Sequence, residues 1–99
     1  MITAQQSEPL FDHSNGTKSA VTVNQTIITT GGSHVFLWIA TDAAIVVRTD
    51  GSAAVDDGTG AYLGAGFNGI IPVSPSVAVT ALSITGTANV RVVPFMVRP

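Results

Sequence analysis

The sequence predicts one all-β domain: a β-sandwich of seven to eight short strands, jelly-roll-like, with a polar N-terminal arm. Three observations carry this. Short apolar–polar alternations recur, and no window keeps a 3.6-residue period over three turns. Thr, Val and Ile dominate the runs, and their stiff χ1 suits a pleated surface. Gly and Asp punctuate the runs, as turns between the strands of a sandwich do. The 99 residues suit a single domain and are too few for two.

Residues 1–18 are polar and without period. They read as an arm with Leu10 and Phe11 as anchor, leaving 19–99 as the domain. Residues 20–24 alternate as a half-buried strand does, 26–30 continue after a polar break, and Gly31-Gly32 stops the run. Residues 34–40 are apolar on both faces, which predicts a central strand. Asp42 marks a turn, 44–49 form a strand, and Asp50-Gly51 turns again. Residues 51–69 are rich in Gly, Ala and Asp and predict loops around a short strand at 61–63. Residues 69–73 predict an edge strand, because Pro72 cannot donate to a ladder. Residues 76–84 form a strand and 85–87 a short turn. Residues 88–93 return as its hairpin partner, and 95–97 extend that strand past Pro94.

Charge is sparse. Lys18, Arg48, Arg91 and Arg98 stand against Glu8, Asp12, Asp42, Asp50, Asp56 and Asp57, so 10% of the chain is charged and 45% hydrophobic. Typical domains carry about 25% charge. A surface so weakly charged suits contact between subunits; a Thr- and Ser-coated monomer is the other reading. Four scattered cations and a net charge of −2 make no phosphate-binding patch, so no nucleic-acid partner is expected. The apolar run at 35–40 is too short to cross a bilayer, so no membrane partner is expected either. Residues 1–9 have neither the basic start nor the apolar stretch of a signal peptide. The patterns Asn15-Gly-Thr17 and Asn24-Gln-Thr26 then read as chance glycosylation matches. No cysteine is present, which fits assembly in a reducing compartment.

Catalytic equipment is thin. Gly64-Ala-Gly66-Phe-Asn-Gly69 is formally GxGxxG, but a dinucleotide site needs a helix to follow, and Ile70-Ile-Pro-Val cannot start one. A loop with positive-φ or closely packed glycines is the alternative. His34 opens an apolar strand and reads as a packed or interface histidine; His13 reads as solvated. Asp50, Asp56 and Asp57 lie among glycines, which suits turns better than a calcium loop. Trp38 reads as core, or with Tyr62 and Phe67 as a sugar platform. No catalytic, cofactor-binding or metal-ligating residue is assigned and no cofactor is expected. The interface candidates are Leu10 and Phe11 in the arm, Tyr62, and Phe67 in the Gly-rich loop.

Three segments carry a resemblance. They are Ile39-Ala-Thr-Asp-Ala-Ala-Ile-Val-Val-Arg48, Ala61-Tyr-Leu-Gly-Ala-Gly66, and 77–93 with its Ala-Leu-Ser-Ile-Thr-Gly-Thr-Ala-Asn-Val-Arg-Val. Over residues 35–93 the chain resembles small β proteins of tailed-bacteriophage virions, in particular capsid decoration (cement) proteins. The resemblance implies a non-enzymatic structural protein, often trimeric, made in the host cytoplasm and seated on the capsid surface. Its partners would be its own copies and the major capsid protein. A tail or fibre component, or a carbohydrate-binding module, is the alternative. The arm lies outside the resemblance; removing 1–18 is expected to weaken attachment more than the fold.

Overall fold

The computed structural model describes residues 9–97. Among them are nine strands: β1 (Pro9–Phe11), β2 (Thr17–Val21), β3 (Gln25–Thr29), β4 (His34–Thr41), β5 (Ile45–Arg48), β6 (Ala61–Leu63), β7 (Asn68–Pro72), β8 (Ala78–Ser83) and β9 (Ala88–Val97). One 3-10 turn, His13–Asn15, separates β1 from β2. The strands build an antiparallel two-sheet sandwich. Sheet A runs β7–β4–β9, and the far side of β9 is shared by β2 along its first half and β1 along its last residues. Sheet B runs β3–β8–β5–β6. Pairing is nested: β2 joins β9, β3 joins β8, β4 joins β7 and β5 joins β6.

Alternation explains the core. Leu37 and Ile39 of β4 and Val90 and Val92 of β9 point inward from sheet A. Ile45 and Val47 of β5 and Val79 and Ala81 of β8 meet them from sheet B, all essentially without solvent contact. Each large aliphatic side chain withdrawn from water in this way contributes about 1.5–3 kcal/mol. A one-residue slip of any of these strands would turn its apolar set outward, so the register is firmly held.

The expected elements appear with three differences. Residues 88–93 are not the hairpin partner of β8. β8 lies in sheet B and β9 in sheet A, and the turn holding Gly86, at φ +66°, carries the chain across the core. Two alternating strands can bury their apolar residues by facing each other as well as by pairing, and alternation cannot tell these apart. The strand expected at 20–24 is displaced to β2, where Val21 is buried, while Val23 is exposed in the bend that follows. From residue 9 onward the expected arm belongs to sheet A, because β9 runs on past Pro94 and offers its edge to β1. Residues 1–8 lie outside the described residues. β4 is central and β7, with Pro72, is at the edge, as expected.

The two sheets differ in how their outer faces are treated. Val46, between the inward Ile45 and Val47, points out of sheet B yet is only 4% exposed. The segment 49–60 folds over it. The Thr80 hydroxyl donates to the Ser52 carbonyl at 2.7 Å, the Ala54 amide donates to Asn24 Oδ1 at 2.8 Å, and Ala54 is buried. Gly60, at φ +80°, returns so close that a Cβ there would lie 2.9 Å from the Val47 carbonyl oxygen. Only glycine permits both that dihedral and that approach.

Candidate functional site

Among the described residues sheet A has no such cover, and its registers order the outward side chains into three rows. The first row is Pro72, Phe36, Phe95 and Phe11; the second is Ile70, Trp38 and Val93; the third is Asn68, Ala40, Arg91 and Lys18. Phe36 is 40% exposed, Phe11 46% and Ile70 56%. Phe95 is buried beneath Phe11, whose ring centroid lies 4.3 Å away, and Phe11 also stacks on His13 at 5.3 Å. Trp38 is half-buried, and its indole N–H donates to Asn68 Oδ1 at 2.6 Å. Three phenylalanines and the one tryptophan of the chain therefore share a single sheet face. Alternation builds it: with Leu37 and Ile39 turned into the core, Phe36 and Trp38 must turn out.

One end of this face is cationic. Lys18 and Arg91 stand directly opposite each other across β2 and β9, both exposed. Among the described residues the ion pairs are Arg48–Asp50 and His34–Asp12, so neither cation has an acidic partner there. Two shallow hollows flank the pair. One of about 280 Å³ is lined by His13, Thr17, Trp38 and Val93. The other, about 390 Å³, is lined by Asp42, Phe67, Asn68 and Asn89. The Asp42 carboxylate is engaged: it accepts from the Asn89 amide at 2.7 Å and from Asn89 Nδ2 at 2.8 Å, and these bonds hold its pKa below the usual value.

Four interface residues were expected from the sequence. Phe11 lies in the first row of the face. Leu10 is its neighbour in β1, paired with Met96. Phe67 is half-buried, packs on the core from the Gly-rich turn and borders the larger hollow. Gly66 turns the chain at φ +83°, and Gly69 leaves room for the Phe67 ring, whose Cζ would sit 3.0 Å from a Cβ there. Tyr62, 65% exposed, is on β6 at the edge of sheet B, apart from the others. Trp38, Tyr62 and Phe67 thus do not converge into a sugar platform. The sequence reading missed Phe36, Ile70, Lys18 and Arg91. The signal for Phe36 was its even spacing with Trp38; the cation pair required a strand register that no spacing supplies.

The buried polar chemistry is structural. His34 is buried; the Gly31 amide donates to its Nδ1 at 2.7 Å, which places its proton on Nε2, 2.9 Å from Asp12 Oδ2. Both ring nitrogens are occupied, leaving none to activate a nucleophile. Asp12 also accepts from Asn15 Nδ2 at 2.7 Å, and these bonds, Asn15 first and then His34, lower its pKa. The pair ties the start of β4 to the turn between β1 and β2. Asp50 is held by Arg48 and the Ser52 amide, and Asp57 by Thr59. Among the described residues no group of three or more His, Cys, Asp or Glu side chains is placed to hold a metal ion. Comparison with protein-family models, with characterised proteins and with solved structures returns no match for the chain.

Proposed function

We propose that this chain is a non-enzymatic structural subunit that works by packing the outer face of sheet A against another protein. One observation carries the reading. The middle of sheet B's outer face, at Val46 and Thr80, is covered by the chain's own 49–60 segment, which leaves Tyr62 exposed at the sheet edge and Val55 exposed in the segment itself. Sheet A's outer face gathers exposed Phe11, Phe36 and Ile70 with no cover among the described residues. Contiguous exposed apolar surface of this kind marks contact sites, and aromatic side chains are enriched in them. The low overall charge points the same way.

The resemblance over residues 35–93 supplies the setting: a tailed-bacteriophage capsid, decorated by this subunit together with further copies of itself and resting on the major capsid protein. The nested pairing supports the finer description of the sandwich as a jelly roll, the form taken when one long antiparallel ribbon is rolled up. Co-sedimentation of the purified chain with empty capsids of the encoding phage tests the reading, with Phe36→Ser as control. Retention of the wild-type chain and loss of the variant are expected. A chain that is monomeric by light scattering and ignores capsids overturns it, and sedimentation with tails alone moves the subunit from head to tail.

A further inference from the structure

Resting on that reading, we infer that Lys18 and Arg91, beside Trp38, form a receptor for a carboxylate that the partner protein carries next to an apolar side chain. Four cations occur in the whole sequence. Arg48 is paired with Asp50, and Arg98 lies outside the described residues. The other two are brought face to face across one strand pair. Like charges directly opposite on adjacent strands repel, so the fold bears a cost that a shared anion would reverse. Arg offers a planar fork and Lys a mobile point charge, a combination that grips a carboxylate from two sides.

The surroundings define what carries the carboxylate. The smaller hollow runs from the cations onto the Trp38 ring and Val93. Alternate residues of a strand are about 7 Å apart. An acidic group on the third row therefore has an apolar neighbour about 7 Å away over Trp38 and a second about 14 Å away over Phe36. A sugar acid suits the site less well, because three of the lining donors its hydroxyls would need are taken, and in the smaller hollow His13 alone is left to serve several hydroxyls. Thr17 donates to the Ile27 carbonyl, Trp38 to Asn68, and Asn89 to Asp42. An acidic side chain beside an aliphatic or aromatic one on a protein surface matches what remains.

The full chain, labelled with ¹⁵N, is titrated with 3-phenylpropionate, which holds a carboxylate two methylenes from an apolar ring. The Trp38 indole N–H and the amides of Lys18 and Arg91 are expected to shift. The uncharged 3-phenylpropionamide is expected to bind about tenfold more weakly. The Lys18→Gln/Arg91→Gln double variant is expected to lose the response while keeping its amide dispersion. Equal binding of acid and amide to the unmodified chain overturns the inference without need of any variant. Equal or stronger shifts with glucuronate would assign the site to an acidic saccharide and also overturn it. Capsid attachment is read separately. If wild-type chain ignores capsids, the assembly reading fails while the titration still reports on the site. If it binds them and the double variant binds equally well at every salt concentration, the receptor fails and the assembly reading stands.

Discussion

Gly51, Gly58 and Gly60 all adopt positive φ, between +80° and +93°, yet their surroundings differ. A Cβ at Gly51 or Gly58 would meet nothing within 4 Å, whereas at Gly60 it would strike the Val47 carbonyl and the Arg48 stem at 2.9 Å. Gly51→Ala and Gly58→Ala are therefore expected to cost about 1–2 kcal/mol each, the price of the dihedral alone. Gly60→Ala adds overpacking against backbone and should cost about 3 kcal/mol or more. Urea titrations of the three variants give the comparison, and equal losses would mean that the 49–60 segment does not press on β5. A second expectation concerns acid. Asp12, Asp42, Asp50 and Asp57 all sit below the ordinary 3.8, Asp50 at about 2 through Arg48. Because folding lowers each pKa, these carboxylates favour the folded state above pH 4, and that contribution is lost as the pH falls through their folded values. The urea midpoint should hold from pH 7 to about 4 and fall between about 4 and 2; a flat profile there would contradict the hydrogen bonds described. At this scale the sequence was partly legible. His34 as a packed residue follows from its apolar strand, but Asp12 as its partner does not, since 22 positions separate them and only the fold brings them together.

The strands themselves were largely legible, because alternation and β-branched content act locally. β4 as a central strand, β7 as an edge and the extension of β9 past Pro94 were all readable. Pro94 is instructive. Its carbonyl accepts from the Asp12 amide at 2.8 Å, so its nitrogen faces the gap between β1 and β2, where the ladder needs no donor. Pairing was not legible, because alternation fixes which face a residue shows and says nothing about which strand lies beside it. That is why β8 and β9 looked like a hairpin and why the rows of sheet A, with their cation pair, stayed hidden. It also changes how the N-terminal segment should be cut. Deleting 1–18 removes β1 and the start of β2 from β9, exposing a long edge, so loss of cooperative melting is expected. Deleting 1–8 leaves every pairing described above in place, and a melting curve close to wild type is expected. If both deletions melt alike, the β1–β9 pairing adds little.

At the scale of the whole molecule the proposed assembly rests on the difference between the two outer faces. Phe36 is 40% exposed, so Phe36→Ser should cost the isolated chain about 1–2 kcal/mol while abolishing the proposed assembly. A variant that assembles normally places the contact elsewhere. Arg91→Glu, which turns repulsion against Lys18 into attraction, should leave the fold equally or slightly more stable, by about 0.2–1 kcal/mol. Thermal melts decide it, and a clear loss would show that Arg91 is held by a contact within the subunit.

The nested pairing also sets a schedule during synthesis. β5 and β6 are close in sequence and can pair early, whereas β2 waits for β9, some seventy residues later. Phe95 and Arg91, which complete the first and third rows, belong to that late strand. A nascent chain on the ribosome therefore cannot complete the outer face of sheet A, and with it the proposed contact surface, until β9 has emerged.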